Sequence, residues 1–277
     1  MNANEIFWER QYNNYKKQNY SPKIRYESWQ PGRWAANRSA VSILRSYING
    51  IESSCEVGAG SAAFSFELKK QLNIDIAGID MCENAMKYAM AISEDMQLPI
   101  NYIKEDLFKS DYTADLILSL GVIEHLEHKK QIELLKKCAE MSKKYVLTAI
   151  PNQQSEIFVN YVTWANKESQ SYEEEHQPLT TNALIDLIQE IGMKIVHVDG
   201  FQIFLSELGF WNETDTSQFL LYRNLISKFS GSKDKWANFP NISFEYGDIK
   251  KMCEIETALS TVERLENGFM TYVLAEK

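Results

Sequence analysis

The run Cys55-Glu56-Val57-Gly58-Ala59-Gly60-Ser61-Ala62-Ala63 sets an acid two residues ahead of a Gly-x-Gly turn, and a second acid, Asp80, stands 20 residues beyond Gly60. Such a turn between a strand and a helix brings bare backbone against a ligand, and an acid ending the next strand accepts hydrogen bonds from a ribose diol. Further along, Asp106 beside Leu107 is placed to receive an adenine amino group, Ser119 and Gly121 let backbone approach a ligand, and Met81 adjoins Asp80. Two histidines, His125 and His176, are the candidates for moving a proton.

Dinucleotides and S-adenosylmethionine are both held by this geometry, and Gly58 to Ala63 satisfies the dinucleotide pattern G-x-G-x-x-A literally. Glu56 weighs against a dinucleotide, because a pyrophosphate would gain an anionic neighbour. S-adenosylmethionine has no phosphate and carries a sulfonium and an ammonium. At ~4 Å and an effective dielectric near 20, one carboxylate–cation pair is worth about 4 kcal/mol before desolvation. Electrostatics favour the sulfonium cofactor.

These residues meet only if alternating strands and helices bring them to one edge. Strands are expected at 53–57, 75–79, 100–104, 115–120, 144–149, 194–199 and 269–275. Helices are expected at 62–72, 83–96, 128–142, 181–191 and 254–266, and 151–178 reads as a loop rich in Asn, Gln, Ser and Glu. This alternation predicts an α/β fold, a doubly wound sheet with helices on both faces. Open sheets of that kind bind ligands at the carboxyl ends of their strands, where Glu56–Gly60, Asp80, Asp106 and Ser119–His125 all fall.

One domain spanning 1–277 is expected, with a helical, aromatic lid over 1–48 and a cofactor-binding core over 49–200. An aromatic insertion over 201–266 and a closing strand over 267–277 complete it. Eleven of the 46 residues in 201–246 are aromatic against 12% for the chain, which reads either as a satellite core or as the lining of an acceptor pocket. Trp8, Tyr12 and Tyr15 share one helix face, either for packing or for closing over the cofactor.

A formal charge of −9 with dispersed lysines argues against nucleic acid as a partner. No apolar run reaches the 18 or so residues of a membrane span, and the N-terminal stretch is polar and aromatic, unlike a signal peptide. Four scattered cysteines form neither a zinc spacing nor a disulfide framework. A soluble, cytoplasmic protein is expected.

With these motifs in place, the sequence resembles the class I S-adenosylmethionine-dependent methyltransferases, particularly the small-molecule, ubiquinone-type O-methyltransferase-like branch. The resemblance rests on Glu56-Val57-Gly58-Ala59-Gly60, Gly78-Ile79-Asp80, Glu105-Asp106-Leu107, Gly121-Val122-Ile123-Glu124-His125-Leu126 and His176-Gln177-Pro178-Leu179-Thr180-Thr181. It implies a seven-stranded sheet with an antiparallel last strand. It also implies that Glu56 and the Gly58–Gly60 backbone hold the methionine part, Asp80 the ribose, and Asp106 with Leu107 the adenine. S-adenosylhomocysteine is the implied product. Two departures stand out: the first strand, Ser53-Ser54-Cys55-Glu56-Val57, is unusually polar, and Gly121 occupies the first place of the Glu-x-x-Glu-His metal cluster. No metal is expected. Ser119-Leu120-Gly121-Val122 stands where an NPPY-like motif would be, which argues against the amide or adenine-amino methylation that uses it.

Methyl transfer needs the acceptor desolvated, aligned and, where necessary, deprotonated. His125 and His176 are each read either as that base or as loop bracing. Glu124 is expected to anchor structure, and His128 and His197 to be structural. The acceptor is read as a small molecule methylated on O, N or C. Two further readings stay open: a non-catalytic cofactor-binding scaffold, since no base is fixed, and a nicotinamide dehydrogenase.

Overall fold

The computed structural model describes residues 31–167, 179–205 and 246–277. Tyr12, His176, most of the expected N-terminal lid and residues 206–245 of the aromatic stretch lie outside them.

Strand β1 (Ser53–Val57) forms despite its polar start because that polarity is matched locally. Asp115 Oδ2 accepts from the backbone N–H of Glu52 at 2.7 Å and of Ser53 at 3.3 Å, while Ser53 Oγ accepts from Asp115 N–H at 3.1 Å. The other strands are β2 (Asp75–Asp80), β3 (Asn101–Lys104), β4 (Ala114–Leu120), β5 (Ser142–Pro151), β6 (Lys194–Phe201) and β7 (Met270–Glu276). They form one seven-stranded sheet in the order β3-β2-β1-β4-β5-β7-β6. β1 to β5 run parallel, and β7 is antiparallel to both neighbours. Strand order reverses between β1 and β4, which makes the crevice at their carboxyl ends the place for a ligand.

Helices α1 (Pro31–Leu44), α2 (Ala63–Leu72) and α3 (Glu83–Met96) precede α4 (His128–Met141), α5 (Glu156–Lys167) and α6 (Thr181–Glu190). Helices α7 (Ile249–Ala258) and α8 (Thr261–Asn267) lead into the last strand. Side chains alternate across the central strands into two cores. Leu116 and Leu118 join Trp34, Phe66, Leu68 and Met252 on one face, while Ile117 joins Leu134, Leu135, Cys138, Leu184 and Ile188 on the other.

Two expectations are corrected. Residues 156–167 are helix, not loop. Ser155 Oγ accepts from Phe158 N–H at 3.2 Å at the helix start, and Ile157 and Phe158 are buried while Tyr161 packs edge-on against Phe269 at 5.0 Å. The single helix expected over 254–266 is two, because Ser260 and Glu263 form a capping box that starts α8 afresh.

A buried ion pair locks the far end of the sheet. Arg264 on α8 meets Asp199 on β6 through Nε–Oδ1 at 2.9 Å and Nη2–Oδ2 at 2.7 Å. His197 Nε2 lies 3.2 Å from Asp199 Oδ2, and its ring stacks on Tyr47 with centroids 3.8 Å apart. Burial alone would raise the Asp199 carboxyl. The hydrogen bonds from His197 and Arg264, with the Arg264 charge, outweigh it and hold that carboxyl below its ordinary value.

Candidate functional site

The turn after β1 is held from three sides. Gly58 has φ +62°, and a Cβ there would sit 2.6 Å from Val122 Cγ2, so only glycine fits against the loop that leaves β4. Ala59 N–H donates to Ile79 O at 3.2 Å, and the Tyr102 hydroxyl donates to Gly60 O at 2.9 Å. Gly60 N–H donates to Asp80 Oδ2 at 2.8 Å, while Cys82 N–H donates to Oδ1 at 2.8 Å. Asp80 therefore ties the glycine turn to the end of β2. A carboxylate accepts up to about four hydrogen bonds, so fixing the turn and receiving a diol are compatible tasks.

Met81, next in the chain, is 43% exposed, a large apolar side chain presented beside Asp80. Asp106 caps the single turn Leu107–Lys109, its Oδ1 accepting from Phe108 N–H at 3.1 Å, with Lys109 Nζ 3.6 Å from Oδ2. Leu107 is half-buried on the same turn. Ser119, near the end of β4, is fully buried and its hydroxyl has no hydrogen-bond partner among the described residues; Thr148, paired with it on β5, is in the same condition.

Glu56 is buried, and Ser65 Oγ on α2 donates to its Oε2 at 2.6 Å. Burial pushes its carboxyl up to about 7, even though the Ser65 hydrogen bonds and the charge of Arg33 on α1 pull the other way. The resting group is thus poised around neutrality rather than standing as a fixed negative charge. That is the desolvation cost which the 4 Å pair estimate left out.

The turn Ile123–His125 follows β4. Glu124, expected to be an anchor, is buried with Oε2 unpartnered among the described residues, and burial drives its carboxyl up to about 8. His125 closes this turn half-buried, its N–H donating to Val122 O at 3.2 Å. Among the described residues, no group of three His, Cys, Asp or Glu is arranged to hold a metal ion. Phe204 is fully buried in the core, so it lines no pocket, and His128 starts α4 exposed.

The structure brings together Glu56, Gly58–Gly60, Asp80 and the loop of Val122 at the point where strand order reverses. It adds Ser65 and Tyr102, which sequence reasoning missed, and the contact of Val122 with Gly58, which the motif did not show. Val122 and Tyr102 act across strands, and only the strand order would have revealed them. The unpartnered state of Glu124 has no sequence signature at all.

Residues 55–144 match a family model described as a methyltransferase domain. No curated protein sequence matches the chain. A methyltransferase of Thermotoga maritima, described as a possible histamine N-methyltransferase, is similar at 15% identity, over 98% of each chain, with a TM-score of 0.54. Magnesium protoporphyrin IX methyltransferase of Synechocystis PCC 6803 with bound S-adenosylmethionine is similar at 13% identity, over 72% of this chain and 91% of that one, with a TM-score of 0.52. A cyclopropane synthase of Mycobacterium tuberculosis is similar at 11% identity, over 86% and 83%, with a TM-score of 0.50. At these identities the likeness is one of fold, and that fold carries more than one reaction.

Proposed function

We propose, from the premise that this chain is a class I S-adenosylmethionine-dependent methyltransferase, that it transfers a methyl group to an O, N or C atom of a small-molecule acceptor. The observation that carries this reading is the glycine turn fixed to Asp80 by a 2.8 Å hydrogen bond, beside two buried acids that a pyrophosphate would meet as anionic neighbours. The buried Glu56 and the unpartnered Glu124 carboxyl fit a cationic, adenosyl-bearing ligand. When bound, the donor supplies a methyl group activated by its positive sulfur.

The chain's own part is to hold and align. Glu56 and the Gly58-Ala59-Gly60 backbone take the methionine portion, and Asp80 takes the ribose hydroxyls with Met81 covering the ring beside them. Asp106 and Leu107 frame the adenine. Ser119 is assigned to the methyl-facing side of the donor, and Tyr12 to binding the cofactor. His125 or His176 takes the acceptor's proton. The aromatic residues beyond Phe204 receive the acceptor itself, in a single domain working in the cytoplasm without metal, nucleic acid or membrane.

Calorimetry tests the donor assignment. S-adenosylhomocysteine should bind, NADH should not, and Asp80→Ala should abolish the binding without unfolding the protein. NADH binding with no response to S-adenosylhomocysteine would overturn it. Turnover across a panel of small hydroxylated and amino acceptors then tests transfer, and loss of turnover with retained binding in His125→Ala or His176→Ala identifies the base.

A further inference from the structure

Glu124 is the buried acid that the fold leaves unexplained. Its carboxyl belongs to the turn that follows β4, two residues from Val122, whose Cγ2 stands 2.6 Å from where a Cβ of Gly58 would be. Oε1 lies 3.6 Å from the position a Cβ would take on Gly121, so the carboxyl folds back over the carboxyl end of β4. Oε2 has no partner among the described residues, although the side chain is buried. Leaving a buried carboxyl oxygen unpaired costs about 1–3 kcal/mol, and such groups are kept where they do something. On the neighbouring strand, Glu56 near the carboxyl end of β1 is held by hydrogen bonds from Ser65, its Oε2 accepting from Ser65 Oγ at 2.6 Å.

We propose that Glu124 is the second carboxyl of the donor site, and that Glu124 and Glu56 together give up a proton in exchange for the positive charge of the donor. The site then distinguishes S-adenosylmethionine, which carries one net positive charge, from S-adenosylhomocysteine, which carries none. This rests on the reading of the crevice as a methyl-donor site. The proton goes to solvent when the donor enters; it returns when the sulfonium has become a thioether, so the spent product faces a site that has lost its charge.

The groups around the pair fit that exchange. Glu56 faces Arg33 from α1, Asp80 from β2 and the Ser65 hydroxyl from α2, with Cys55 beside it on β1. Arg33 favours ionisation, Asp80 opposes it, and burial dominates both. Around Glu124 the influences are burial and a hydrogen bond from its own backbone, and on the α4 side the neutral Gln131 amide donates to Ile123 O at 3.3 Å. With the two groups titrating at about 7 and about 8, the pair holds about one proton at pH 7.5. One proton is what a donor of one net charge would displace.

The test is titration calorimetry of the full chain with S-adenosylmethionine and with S-adenosylhomocysteine, in buffers of differing ionisation enthalpy, from pH 6 to 9. Donor binding should release close to one proton near pH 7.5 and product binding much less, and the donor's advantage in Kd should grow at least about 30-fold between pH 6.5 and 8. Glu124→Gln, which keeps the shape of the side chain, should remove most of the proton release above pH 7.5 while product binding persists; Glu56→Gln should remove the part nearer pH 7. Equal proton release for the two ligands, or a Glu124→Gln protein that releases as much as the wild type, would overturn the proposal while leaving the donor assignment standing. Failure of both ligands to bind the wild type would overturn the donor assignment itself, and the proposal with it.

Discussion

Replacing Gly58 by alanine tests whether the glycine turn is set by its contact with Val122. Two costs add. A φ of +62° is left-handed backbone, which penalises a residue with a Cβ by about 1–2 kcal/mol. The new methyl would also stand 2.6 Å from Val122 Cγ2, and overpacking of that kind costs about 1–3 kcal/mol. Gly58→Ala should therefore lose about 2–5 kcal/mol, a fall in Tm of roughly 3–9 °C for a chain of this size. The cycle with Val122→Ala separates the costs: removing both Val122 γ-carbons abolishes the clash and leaves the backbone penalty. Val122→Ala should be destabilising alone but restore about 1–3 kcal/mol in the Gly58→Ala background, read as a coupling energy from thermal and urea unfolding. Strict additivity of the two substitutions would refute the reasoning. So would a Gly58→Ala protein as stable as the wild type.

Asp199→Asn should cost about 3–5 kcal/mol by stranding Arg264 without its buried partner, measured by urea unfolding. Because the Asp199 carboxyl sits below its ordinary value when folded, the wild-type advantage should be full above about pH 4 and vanish as pH falls through that depressed value, where Asp199→Asn and wild type converge. Glu124 has the opposite sign: raised to about 8 when folded, its contribution is full below its unfolded value near 4.3 and is lost as pH climbs to about 8, by up to about 1.4 kcal/mol per unit. The stability profile of Glu124→Gln should be flatter over that window, with the largest gain over wild type at and above pH 8. Ser260→Ala should cost about 1 kcal/mol through the lost capping box that starts α8, visible in Tm and with no effect on S-adenosylhomocysteine affinity.

Most of the seven strands were legible as short apolar or β-branched runs bounded by turn residues, and the more polar β1, at Ser53–Val57, from its place ahead of the glycine turn. Helix α5 was not, because its polar flanks masked Ile157, Phe158, Tyr161 and Trp164, whose spacing and Ser155 cap were signal enough. The break between α7 and α8 was likewise written in Ser260 and Glu263. In the site, the backbone turn and Asp80 could be read from spacing, since both are local to strand ends. The protonation of Glu56 and Glu124 could not. It follows from burial, which is made by elements distant in sequence packing together and which outweighs the opposing pull of Ser65 and Arg33 on Glu56.

The place of β7 has a consequence for how the molecule is made. Residues 270–276 fill the gap between β5 and β6, pairing with Tyr145–Pro151 on one side and Lys194–Phe201 on the other. During synthesis from the N-terminus, both of those strands are complete long before their shared partner leaves the ribosome. Each meanwhile offers an edge of unpaired backbone N–H and C=O groups, the template on which chains join one another. Arg264, six residues ahead of Met270, emerges just before the missing strand and reaches Asp199 on β6, so the ion pair is placed to gather the open edge as the strand arrives.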